Sequence, residues 1–243
     1  MYISICQELL KICLEKEEIH VRKFSKWYAK IIRLYGDVFL KIFDLFLNYI
    51  EDEEKIASLT AFRFFELSKQ LPLLCLLINM TAYHQAIREM RYILESFIQA
   101  YHLDDNHPDI SIKCKVEIIK EAERELYGVK LIDKLQVKRK NMLKNLYFEL
   151  SKHVHSSYKG EWKHVSKRGA VEQKFLFEID EKLLEISAQF MVRVFDAILY
   201  LLIKKFPAII KGLKDDLIKE MRELGMNMVT SLLEASNPNI VHS

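Results

Sequence analysis

Six glycines and four prolines are all that 243 residues contain, roughly a third of the ordinary share. Hairpins, tight strand connections and Gly-rich phosphate loops need such residues at defined positions. A chain this poor in them can make few reversals, which argues against β-sandwiches, barrels and doubly wound nucleotide folds and leaves long helices. Hydrophobic residues make up 50% of the chain and charged residues 29%, enough for one substantial core. We therefore expect an all-α multi-helix bundle of eight or nine helices, one domain over residues 1–234 with a flexible tail at 235–243.

Hydrophobic spacing supports this reading along the chain. From Ile3 to about Ile50 the apolar residues recur at helical intervals, fitting two helices or one kinked helix. The second half of this region, Phe24 to Phe46, is apolar almost all round, so burial on several sides, by other helices or a partner chain, is expected. Glu51 to Lys55 is a charged break. Ser58 to Gln70 follows, with Pro72 expected to kink or restart the helix before Leu73 to Asn79. Thr81 is placed to cap a helix running to about Leu103, which Asp104 to Asp109 ends. Ile112 to Tyr127 reads as a helix closed by Gly128, and Lys138 to about His155 as another. Ser156 to Ala170, with Gly160 and Gly169 and no apolar period, reads as the longest internal loop. Gln173 to Ile179 alternates weakly, as a short extended piece would. Leu183 to Lys205 is a strongly apolar helix, Pro207 interrupts it, and Ala208 to about Glu234 reads as one last amphipathic helix.

Formal net charge is +3 with a pI near 8.5, too mild to demand an acidic partner. The cysteines, Cys6, Cys13, Cys75 and Cys114, form no Cys-x-x-Cys pair and read as reduced small hydrophobes of an intracellular chain. Glu8 and Lys11 stand where a secretory signal would be apolar. The longest apolar stretches, Leu71 to Met80 and Val194 to Ile203, are shorter than the ~20 residues a bilayer span requires. The expectation is a cytoplasmic protein without a membrane segment.

Two polar constellations stand out. His84, Arg88, Arg91, Glu95 and His102 form a single stripe on one predicted helix, with Arg91 and Glu95 four apart. Three readings fit: a solvated face, a buried Arg/Glu network that fixes packing, or an active site. Tyr147, Ser151 and His155 recur every four residues on another helix, away from Leu143, Leu146, Leu150 and Val154. A hydroxyl one turn from an imidazole can exchange a proton near neutral pH. It can equally be a structural contact, since no acid adjoins it in sequence to orient the ring.

Arg-x-x-Arg-x-x-x-Glu (Arg88, Arg91, Glu95), followed some fifty residues later by Tyr-x-x-x-Ser-x-x-x-His (Tyr147, Ser151, His155), resembles uncharacterised bacterial and archaeal all-helical families that are themselves similar to the HEPN superfamily. The resemblance spans residues 71–159. It implies a helical bundle that dimerises and an RNase or RNA-binding role in a defence or toxin-antitoxin setting. The arginine and histidine separated by four to six residues in that superfamily do not occur here. The implied chemistry would therefore take Arg88 or Arg91 to stabilise phosphorane charge, with His155 as general acid or base.

The third feature is a charge asymmetry. Between Lys130 and Arg168 eleven Lys and Arg residues face three acids, a local +8 against −5 for the rest of the chain. Lys138, Arg139, Lys140, Lys159, Lys163, Lys167 and Arg168, with Trp162 among them, supply phosphate pairing and base stacking in a nucleic-acid reading. A solvated loop is the plainer alternative. Glu17/His20 and Glu161/His164 have the Glu-x-x-His spacing of di-metal bundles, but two such pairs are what chance gives, so no metal or other cofactor is expected. The leading expectation is a nucleic-acid-associated protein that binds or cleaves RNA. The alternatives are a non-catalytic homodimeric scaffold joined through Phe24 to Phe46 and Phe190 to Ile203, and a di-metal oxidoreductase bundle.

Overall fold

The computed structural model describes residues 25–50, 57–122, 125–167 and 180–236, and for positions 25, 154–167 and 236 the backbone alone. Ten α-helical segments, a π-helical segment and a 3-10 turn make up the described residues, with no strand among them. Gln173 to Ile179 lies outside the described residues, as do Glu51 to Lys55 and the proposed tail beyond Ser236.

Helix α1 (25–49) joins Ser25–Ile32 to Leu40–Tyr49 through the π-helical Arg33–Phe39. The wider π turn re-phases the helix, so Leu34, Val38 and Phe39 all stay inward. Phe39 then meets Phe43, Phe64 and Phe195, and Phe46 meets Phe64 and Phe206, with ring centroids 5.0–5.9 Å apart. These separations suit offset and edge-on aromatic pairs.

Helix α2 (Leu59–Asn79) is capped by Ser58, whose Oγ accepts from the Ala61 N–H at 3.3 Å. It runs through Pro72 without a break, contrary to the expected restart. The missing hydrogen bond there is offset by Leu67, Leu71, Leu74 and Ile78, which are buried on either side of the proline. Helix α3 (Tyr83–Asn106) begins after Ala82, not under a Thr81 cap, with Thr81 at φ 60°. It extends a turn past Leu103 because Asp104 is buried and used internally.

Helix α4 (Ile112–Glu121) is capped by Ser111 and stops well before Gly128. Gly128 opens the next helix, α5 (Gly128–Lys134), with φ +64°. Helix α6 (Lys140–Lys167) passes straight through the stretch expected to be a loop. A single glycine costs a helix about 1 kcal/mol, which the Lys, Glu and Trp residues around Gly160 tolerate. The lost apolar period therefore does not mark a loop at 156–167.

Helix α7 (Glu181–Lys205) is the centre of the bundle and packs on α1, α2, α3 and α6. Asp180 caps it by accepting from the Leu183 N–H at 3.0 Å, and Lys204 and Lys205 complement the dipole at its end. It is long and apolar enough to cross a bilayer by composition, yet 83% of that window is buried inside the protein. From Phe190 to Ile203 only Arg193 is not buried. The expectation that this stretch serves a second copy is therefore corrected: its own chain already covers it. Beyond the 3-10 turn Pro207–Gly212, the last predicted helix is in fact two, α8 (Asp215–Leu224) and α9 (Asn227–Ser236), divided by Gly225 at φ +82° in the position glycine favours after a helix.

Candidate functional site: a polar seam between two antiparallel helices

Helices α3 and α6 run antiparallel, because Arg91 and Glu95 both reach Tyr147 while His84, two turns earlier, lies near enough to His153 to act on its charge. The register brings Arg91 and Glu95 of the α3 stripe to Tyr147 of the α6 stripe along one seam. Arg91 Nη2 donates to Tyr147 Oη at 2.7 Å, and the guanidinium carbon sits 5.0 Å from the centre of the same ring. Tyr147 Oη donates onward to Glu95 Oε1 at 3.2 Å, and that carboxylate oxygen also accepts the Gly128 N–H at 2.8 Å. A Cβ at Gly128 would lie 3.2 Å from Tyr147 Oη, so the positive φ and the close approach both call for glycine.

The chemistry of this cluster is that of a lock. Burial raises the Tyr147 phenol and the Glu95 charge adds to it, while the Arg91 hydrogen bond opposes them, so the hydroxyl stays protonated as the bridge requires. The exposed Tyr127 is raised too, first by the Glu95 charge. Arg91 Nη2 and Glu95 are thus joined through one hydroxyl, while the buried Arg91 Nε has no hydrogen-bond partner among the described residues. An incoming anion would have to displace Tyr147 to reach Arg91 Nη2.

Glu95 belongs to a wider pattern. The three buried acids in the described residues, Glu95, Asp104 and Asp196, each accept backbone N–H groups at the start of another helix. Asp104 accepts from Leu59 N at 3.1 Å and Thr60 N at 2.7 Å, from the Ser58 hydroxyl, and from buried Lys115 Nζ at 2.8 Å. Burial alone would raise its carboxyl, but these donors outweigh it and hold it below the ordinary value. Asp196 accepts from Met228 N at 2.8 Å and Val229 N at 2.9 Å. There burial prevails over the two amides and pushes the carboxyl up to about 6. Each acid satisfies orphan amides and complements a helix dipole.

Other expected site residues fall elsewhere. Arg88 is exposed and donates to Gln85 at 3.4 Å, so it does not join Arg91. Ser151 Oγ donates to its own helix at Tyr147 O, 2.7 Å away, and is not free for an imidazole. His155, Lys159, Trp162, Lys163 and Lys167 stand on the backbone of α6, with side chains outside the described residues, and Arg168 lies outside them altogether. Lys138 is exposed, Lys140 Nζ donates to Asp133 O at 2.9 Å, and Lys144 Nζ to both Asp133 carboxylate oxygens at 3.0 Å. Arg139 donates from its backbone N–H to Tyr200 Oη at 3.4 Å.

The sequence reading missed His153. Its ring meets Phe190 edge-on at 5.3 Å, and burial, then the His84 imidazole, lower its pKa, with Glu149 opposing. His84 was visible in the α3 stripe, but His153 sits two positions from His155 and off its face. A second concavity also escaped notice, a cleft of about 390 Å³ lined by Lys30, Asn145, Gln189, Asp196 and the Glu149–Arg193 pair, whose contacts are 2.5 and 3.1 Å. Among the described residues no three His, Cys, Asp or Glu side chains gather as metal ligands would. Glu17 and His20 lie outside the described residues, and the side chains of Glu161 and His164 do too. Comparisons of this chain with protein-family models, with curated proteins and with solved structures find no match.

Proposed function

We propose that this chain is an RNA-binding helical protein that engages the phosphate backbone along α6. The observation that carries the reading is the continuity of α6 from Lys140 to Lys167. On one unbroken helix, positions 140, 144, 152, 159, 163 and 167, all lysine, fall within about half of the helical wheel at 3.6 residues per turn. Leu143, Leu146 and Leu150, which are fully buried, occupy the opposite half. A row of basic positions on the outer side of a helix follows a phosphate backbone, and Trp162 within it offers a stacking surface. Strand cleavage is not part of this reading, because Arg91 is engaged by Tyr147 and the exposed Arg88 turns to Gln85 instead of joining it.

The test is affinity for single-stranded RNA measured across a range of salt. Binding should fall steeply, and replacing Lys159, Lys163 and Lys167 by glutamine should flatten the log–log slope by about 2, at roughly 0.7 per lost phosphate contact. No binding at low salt, or a slope indifferent to the three substitutions, would overturn the proposal.

A further inference from the structure

An apolar groove lies between the first half of α1 and the end of α2, with no polar-seam or α6 residue in its lining. Its volume is about 450 Å³, and Tyr28, Ile32, Tyr35, Pro72, Cys75 and Leu76 are among its walls. Ile32 is 63% exposed and Leu76 53%, with Leu73 and Met80 beside them at 47% and 38%. Large aliphatic side chains left this open beside a concavity mark a surface that something covers.

Gly36 forms part of the floor. A glycine inside a helix costs about 1 kcal/mol relative to alanine, and nothing lies within 4 Å of where its Cβ would be. The described packing therefore gives no reason for glycine there. A bare floor does admit the close approach of another backbone.

We propose that the occupant is the chain's own N-terminal stretch, residues 3–14. Described structure begins at Ser25, three residues before Tyr28 on the groove wall. Ile3, Cys6, Leu9, Leu10, Cys13 and Leu14 stand at the spacings that make one apolar stripe of a helix. Twelve residues of helix are about 18 Å long, and the groove wall from Tyr28 to Gly36 covers about 12 Å of α1. The ten residues between Leu14 and Ser25 are ample for the stretch to turn back along α1. A tethered segment also meets the groove at a high effective concentration, which favours it over a free partner.

The cysteines supply the probe. Cys75 is half-buried in the groove wall, while Cys6 and Cys13 lie on the proposed occupant. In the full chain carrying Cys114→Ser, a short bis-maleimide should join Cys75 to Cys6 or Cys13 within one monomer, as read by peptide mapping. Leu9→Lys with Leu10→Lys should abolish that product and speed labelling of Cys75 by a small maleimide about tenfold, the protection expected of a segment docked nine parts in ten. Gly36→Leu should also abolish it while leaving helical circular dichroism unchanged, since its side chain enters open space. Cross-links from Cys75 to a second chain would assign the groove to another copy and overturn the proposal. So would Cys75 labelling that is equally fast with and without the double substitution.

Discussion

Replacing Tyr147 by phenylalanine isolates the lock between α3 and α6. The ring stays, and so does its contact with the Arg91 guanidinium at 5.0 Å, so the apolar packing is preserved and only the hydroxyl goes. Two hydrogen bonds to charged groups are lost, one from Arg91 at 2.7 Å and one to Glu95 at 3.2 Å. Each such bond contributes roughly 1.5–3 kcal/mol. The two share an atom and are not additive. Glu95 keeps the Gly128 N–H, and the half-buried Arg91 regains some water. A net loss of about 2–3 kcal/mol is expected. In urea unfolding, with a slope near 3 kcal/mol/M for a domain of this size, the midpoint should fall by about 1 M.

A double-mutant cycle with Glu95→Gln sharpens the test, since residues joined through one hydroxyl should couple by about 1 kcal/mol or more. RNA affinity should stay unchanged, because positions 159, 163 and 167 lie about three turns or more beyond Tyr147 along α6. A midpoint shift worth less than about 0.5 kcal/mol, with no coupling to Glu95, would refute the lock. Loss of RNA binding at unaltered stability would turn the cluster into a binding site and refute the assignment of roles.

The other expectations rest on the same accounting. Gly128→Ala places a Cβ at φ +64° and 3.2 Å from Tyr147 Oη; the left-handed backbone alone costs about 1–2 kcal/mol, and thermal unfolding should show at least that loss. Lys115→Met leaves the buried Asp104 carboxylate without its cation, and a loss of about 3–5 kcal/mol is expected by chemical denaturation, much of it recovered when Asp104 becomes asparagine in the same chain. Asp196 has a folded pKa raised to about 6 from 3.8. Its contribution is therefore fully present below the unfolded value and is lost as pH rises through 6, by at most about 3 kcal/mol. Asp196→Asn should remove that part of the pH profile, and an unchanged profile would exclude Asp196 as its source. For His153 the sign is opposite to that of Asp196: a lowered folded pKa means stability is lost as pH falls below its ordinary value of 6.5, which an NMR titration of the ring against His153→Gln unfolding curves checks.

What the sequence made legible was whatever depends on local period. The helices, the apolar sides of α3 and α6, and the place of Arg91 and Glu95 on one stripe follow from spacing alone, whereas the direct i,i+4 pair expected of those two is replaced by a bridge through the Tyr147 hydroxyl. The misreadings came where tertiary packing overrode a local signal. Pro72 reads as a break, but four buried aliphatic residues keep α2 whole around it. Gly128 reads as a helix end, yet it opens α5, because Glu95 and Tyr147 from distant helices set the requirement for glycine. The stretch from Ser156 to Lys167 reads as a loop because it lacks an apolar period, yet its backbone is helical. Asp104 and Asp196 gave no signal at all. An acid that caps a helix far away in the chain looks like any acid.

The three buried acids also tie other helices of the bundle to two of its long ones, α3 and α7. Helices α5 and α9 have seven and ten residues, lengths at which helix formation in isolation is unfavourable. Each begins at amides taken up by a carboxylate from a long helix, Glu95 for α5 and Asp196 for α9. Asp104 does the same for α2. The anchoring charges thus come from α3 and α7, the two helices most deeply embedded in the core, whose packing fixes where those carboxylates sit. Polar groups spent this way are unavailable to a ligand. What is left for a ligand is the row of lysine positions of α6 beyond Lys140 and Lys144, which bond Asp133, and the apolar groove beside α1.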